Sequence, residues 1–132
     1  MNTLPTSRDA RLSFTAPPPG FAPLTDFDLA AVDGAPGLYT LRDTAGADLR
    51  LFLLDPTFSV PDYLPAIADE DLLALGASSA AEVDVYVVAN ILDGAPVVNL
   101  LAPIVVNPVT GAATQLILEA DWPLQAELSS AA

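Results

Sequence analysis

Turn-forming residues recur along this chain at intervals of roughly ten positions, and no other feature limits its fold so sharply. "DGAP" occupies Asp33–Pro36 and returns at Asp93–Pro96, "DTAGA" covers Asp43–Ala47, and "NPVTG" covers Asn107–Gly111. Aspartate, proline and glycine each favour chain reversal for a separate reason: a side chain that bonds the local backbone, a fixed φ, and access to positive φ. Between these turns lie "RLSFT", "FDLAAV", "GLYTLRD", "DLRLFLLD", "EVDVYVVANILD", "VVNLLAPIVVN" and "AATQLILEA", several of which alternate apolar and polar residues with the period of a half-buried strand. The expected fold is therefore all-β, a small antiparallel barrel or sandwich-like single domain, and 132 residues suffice for one hydrophobic core. The two "DGAP" copies are turn chemistry, not a structural repeat.

One short helix is expected at "ADEDLLALG", with Asp69 as the cap, Glu70 and Asp71 in the first turn and Gly76 as the stop. Pro103 cannot donate to a ladder and marks an edge strand or a bulge in "VVNLLAPIVVN". That strand is apolar on both faces, so either the fold covers both or one is left for another molecule. The ordered domain is expected over residues 12–124, with flexible segments at 1–11 and 125–132.

Charge narrows the function. Seventeen acids face four basic residues, Arg8, Arg11, Arg42 and Arg50, for a net charge of -13, and there is no lysine. From Leu51 onward eleven acids meet no cation. Such a surface repels phosphate backbones and anionic lipid, which argues against direct nucleic-acid or membrane binding. A basic protein is the natural partner, and solubility of an apolar-rich chain is the simpler alternative. With no cysteine and no histidine, disulfides, thiolate nucleophiles, Cys/His zinc sites and imidazole bases are all excluded. The charge-free run Gly94–Leu118 is broken by Pro96, Pro103, Pro108 and Gly111 and reads as two strands and a turn instead of a membrane span. No export signal opens the chain, so the cytoplasm is the expected location.

The densest chemistry lies in "DPTFSVPDYLPAIADEDLLALG", Asp55–Gly76, which holds five acids, three prolines, two aromatics and no cation. By residue type alone Asp55 and Asp62 permit an acid/base pair, or a hard-metal site with Asp69 and Asp71. Neither the spacing nor the surrounding residues support this: there is no calcium-loop register, no phosphate-cradling glycine loop, and no lysine to stabilise developing negative charge. No catalytic residue, metal or cofactor is expected. Asp55 is explained by an Asp-Pro turn and Asp62 by a loop beside Pro61. Phe58, Tyr63 and Tyr86 are the aromatics able to anchor a partner, although core packing suits Phe58 equally. Asn99, isolated among aliphatics, suits a bulge or turn backbone group or a partner contact, and Asn107 is read as a turn residue only. The candidate partner-binding set is Asp55, Phe58, Asp62, Tyr63, Asp69, Glu70, Asp71 and Asn99.

Three segments, "PPPGFAPLTDFDL", "LFLLDPTFSVPDYLPAIADEDLLALG" and "VVNLLAPIVVNPVTGAATQLIL", resemble in order and spacing the flagellar assembly factor family FliW over about Phe14 to Leu118. The resemblance implies a non-enzymatic, monomeric, cytoplasmic regulator with an antiparallel barrel-like fold. Proteins of that family bind CsrA, a small basic RNA-binding repressor, and prevent it from silencing flagellin synthesis, while unassembled flagellin competes for them. A dedicated flagellin chaperone is the second expectation. Two positions depart from the family pattern: Ala22 follows "GF" where an acid is common, and Ser59 and Val60 stand where paired aromatics often precede "PDY".

Overall fold

In a computed structural model, the described residues are 10–15, 25–32, 34–35, 37–44, 50–56, 63, 65, 67–92, 94–118, 122 and 126–127. Four strands come first, β1 (Ala10–Phe14), β2 (Asp26–Ala31), β3 (Leu38–Asp43) and β4 (Arg50–Leu54). Helix α1 (Asp69–Ala74) and a 3-10 turn at Ala80–Glu82 follow. Then come β5 (Asp84–Leu92), β6 (Ala95–Val106), β7 (Ala112–Gln115) and β8 (Ala126–Glu127). The seven runs that lie between the turns each contain a strand.

Hydrogen-bonded neighbours run β5-β4-β3-β2-β1-β7-β6, and β6 returns to β5. The ring of seven closes, so the architecture is a barrel and not a pair of stacked sheets. Its pairings are antiparallel except at one seam, where Ser13 and Phe14 of β1 lie parallel to Ala112 and Ala113 of β7. β8 pairs with Val97 and Val98 of β6, beside a stretch that β7 does not reach. Residues 126–127 thus belong to the sheet, where a flexible tail was expected. The physical reason is the side of β6 that faces away from β5 at Val97 and Val98, whose backbone groups need partners. At the other end β1 begins at Ala10, two residues ahead of the expected boundary.

Alternation puts one face of each strand inside. Phe27 and Leu29 of β2 are buried while Asp26 and Asp28 are exposed. Leu12, Phe14, Phe27, Leu29, Leu41, Leu53, Tyr86, Ile104, Val106 and Ala113 form the barrel core, with Phe14 and Phe27 edge to face at 5.4 Å. Each buried aliphatic or aromatic side chain contributes about 1.5–3 kcal/mol. Two further clusters lie outside the ring on β5 and β6: one joins Tyr63 and Trp122 to Val87, Val98 and Leu100, and the other packs Leu72 and Leu75 of α1 on Val83 and Val105. Of the two possibilities for β6, the fold realises the first, covering both faces.

Pro103 sits in a bulge. Tyr86 faces Ile104 and Val88 faces Asn99, so Leu100–Pro103 oppose Val87 alone. Asn99 Oδ1 accepts the N–H groups of Leu101 (3.0 Å) and Ala102 (3.1 Å), which the displaced ladder leaves without β5 partners.

The helix differs from expectation at its start. Ala68 is the cap residue and makes no side-chain cap bond, so Asp69 is the first helical residue and not the cap. Its carboxylate, with those of Glu70 and Asp71, acts through the dipole of the first turn. The end is as expected: Gly76, at φ +76°, donates to Leu73 O (3.0 Å) and Ala77 donates to Leu72 O (2.9 Å). No helix among the described residues is long and apolar enough to cross a membrane.

Candidate functional site

Between β4 and α1 in the sequence, Tyr63 packs on the outside of β5 and β6. Tyr63 is 5% exposed and donates its hydroxyl to Leu100 O at 2.6 Å, the carbonyl that opens the β6 bulge. Its ring meets Trp122 edge to face at 4.7 Å. Burial pushes the phenol up to about 12, because the ionised form would lose solvation there. Tyr63 is therefore anchored in the fold and does not project into solvent. Asp55 is placed by the end of β4 and by its own N–H, which donates to Gly37 O at 2.7 Å, and Pro56 is buried beside it.

Two open grooves lie on this flank of the barrel. One, of about 700 Å3, is lined by Tyr39, Asp55, Tyr63, Asp84, Tyr86 and Pro108 among others, with Tyr39 and Tyr86 edge to face at 5.2 Å. The second, of about 820 Å3, lies between the start of α1 and the end of β7 and includes Ile67, Glu70, Asp71, Gln115, Ile117 and Trp122 in its walls. Ile67 borders both grooves.

The expected site residues divide across this surface. Asp55 and Tyr63 belong to the first groove, and Glu70 and Asp71 to the second. Asp69 is exposed but lines neither groove, and Asn99 is half-buried, with its carbonyl engaged by the bulge. Phe58 and Asp62 lie outside the described residues, so the Asp55/Asp62 pairing has no geometry to report. Among the described residues no three acids come together to hold a metal ion.

Two residues matter more than the sequence suggested. Trp122, the chain's single tryptophan, both meets Tyr63 edge to face and walls the second groove. Its solitary presence after the last long strand was the available signal. Asn107 was read as a turn residue, and its Oδ1 does accept from Val109 N–H at 3.0 Å. It is also buried at 4%, and its Nδ2 donates to Leu75 O at 2.8 Å, tying the β6–β7 turn to the end of α1. No local pattern in the sequence announces that second bond, which spans 32 residues.

A closed seven-stranded barrel with one helix-bearing flank, acid-rich and grooved, defines the class: a small all-β protein that presents a shaped surface outside its core. Comparison with known proteins places it within that class. The FliW protein family profile matches residues 1–128. The flagellar assembly factor FliW of Thermotoga neapolitana is 35% identical over an alignment covering 84% of this chain and 77% of that protein. The protein of the same name from Symbiobacterium thermophilum is 34% identical, covering 77% and 76%. A crystal structure of the flagellar assembly factor FliW superposes with a TM-score of 0.82 at 25% identity, covering 89% of this chain and 84% of the other. The chain belongs to the FliW family of flagellar assembly factors.

Proposed function

We propose that the protein is a cytoplasmic regulator of flagellar assembly that binds a CsrA-type translational repressor, relieves its repression of flagellin synthesis, and is itself titrated by free flagellin. The observation that carries this reading is the one-sided charge: the whole flank built after β4, including Asp55, Asp69, Glu70, Asp71 and Asp84, comes from a stretch of chain without a single cation. A basic partner is drawn toward such a flank and a nucleic acid is repelled from it. Nothing in this role requires a bond to be made or broken, and the protein acts by docking.

A flagellin chaperone without a repressor-binding role is less well supported. Such a chaperone would need an open apolar surface, for which the strand "VVNLLAPIVV" is the candidate, and both faces of that strand are covered within the fold.

Size-exclusion of the purified protein mixed with CsrA of the same genome tests the proposal. A co-eluting complex at micromolar concentration and low salt is expected, with flagellin displacing the repressor. Absence of any complex under those conditions would sink it.

A further inference from the structure

The strand that ends the barrel does not stop where its β1 partner does. Beyond Ala113 the chain stays extended: Leu116 N–H donates to Pro103 O at 2.9 Å and Leu118 N–H donates to Leu101 O at 2.8 Å, both toward β6. Thr114 and Gln115 continue the same ladder opposite Val105 and Ile104. In an antiparallel ladder successive residues aim their backbone groups to opposite sides. The N–H and C=O groups of Gln115 and Ile117 therefore point away from β6. The last bond from β1 on that side is Thr15 N–H to Ala113 O at 2.9 Å, and among the described residues no further strand lies beyond it. This is a short sheet edge of the kind to which an extended segment adds.

The edge opens into the 820 Å3 groove. Ile67, Ile117 and Trp122 give that groove an apolar lining, and Ile117 is 73% exposed. Glu70 and Asp71 stand in the same wall, and the Arg11 guanidinium on β1 is already paired with Asp28 of β2. A segment that fits must be extended, must offer backbone groups at alternate positions, and must carry apolar residues and lysine or arginine.

We propose that the outward edge at Gln115–Ile117 binds such a segment from the basic partner as an added β-strand, with its cations against Glu70 and Asp71. The inference rests on the partner reading above and adds the mode of docking to it.

Replacing Ile117 by proline tests it, because the lost N–H faces outward and the internal bonds of Leu116 and Leu118 remain. Unchanged thermal unfolding and at least a tenfold loss of CsrA affinity are expected for Ile117→Pro, and a smaller loss for Ile117→Ala, which keeps the N–H. Hydrogen exchange supplies a readout independent of folding: the Gln115 and Ile117 amides should exchange quickly in the free protein and slow at least tenfold in the complex. If CsrA binds the wild type and Ile117→Pro equally, the edge is not the docking site and the partner reading stands. If the two amides are already protected in the free protein, another part of the chain occupies the edge and the inference fails. If the wild type binds no CsrA at all, the partner reading falls and takes this inference with it.

Discussion

Tyr63 shows how one side chain can organise a surface without lying on it. Its hydroxyl satisfies a carbonyl that a bulge leaves exposed to the interior, and its ring packs on Trp122. Tyr63→Phe keeps the packing and orphans Leu100 O, so we expect a loss of about 1–3 kcal/mol in unfolding free energy. The pH dependence has a definite sign. The folded phenol is raised to about 12 from an ordinary value near 10, so the stability linked to its neutral form is fully present below pH 10. It declines as the unfolded state ionises first, and is lost as pH rises through the folded value. Denaturant titrations of wild type between pH 9 and 12 should show that decline, and Tyr63→Phe should lack it. At this scale the sequence was informative about turn residues and silent about long-range bonds. Asn99 could be read because its acceptors lie two and three residues away, whereas the Asn107 bond to Leu75 depends on where a helix comes to rest.

Strands were legible because their cause is local. Period-two burial, proline and glycine act over a few residues, and the Gly76 stop, the hairpin joined through Gly94 at φ +81° and the bulge at Pro103 all follow from them. The helix start was misread for a related reason. Asp69 is a good cap by residue type, but the packing of Leu72 and Leu75 on Val83 and Val105 sets where the turn begins, and that places Ala68 at the cap. The first-turn acids are then available for two roles: favourable interaction with the helix dipole, and steering. Changing Asp69, Glu70 and Asp71 together to amides separates them. Stopped-flow association with CsrA should slow by about tenfold at low salt and lose much of its salt dependence. Unaltered rates with a lowered melting temperature would assign these acids to the helix alone.

For the whole molecule, charge is the feature read most easily and the one that packing offsets least. The Arg11–Asp28 pair, at 2.6 Å with both side chains more than half exposed, contributes little against a net charge of -13. Self-repulsion in the compact state should therefore be relieved by salt. Melting temperature is expected to rise by about 3 °C or more between roughly 0.02 and 0.3 M NaCl and then level off as the Debye length shrinks below the spacing of surface charges. A flat profile would show that the acids are far enough apart to ignore one another. Barrel topology was only half visible, since composition and turns imply closure of some kind but do not reveal which strands meet.

The parallel seam between β1 and β7 has a bearing on biosynthesis. A ribosome must reach Ala112 before Ser13 can meet it, so no nascent form that stops short of β7 owns a finished cylinder or the cleft beside it. The closed wall arrives in one step, when β7 is made, and a product interrupted before that point is a half-built cylinder with an open side.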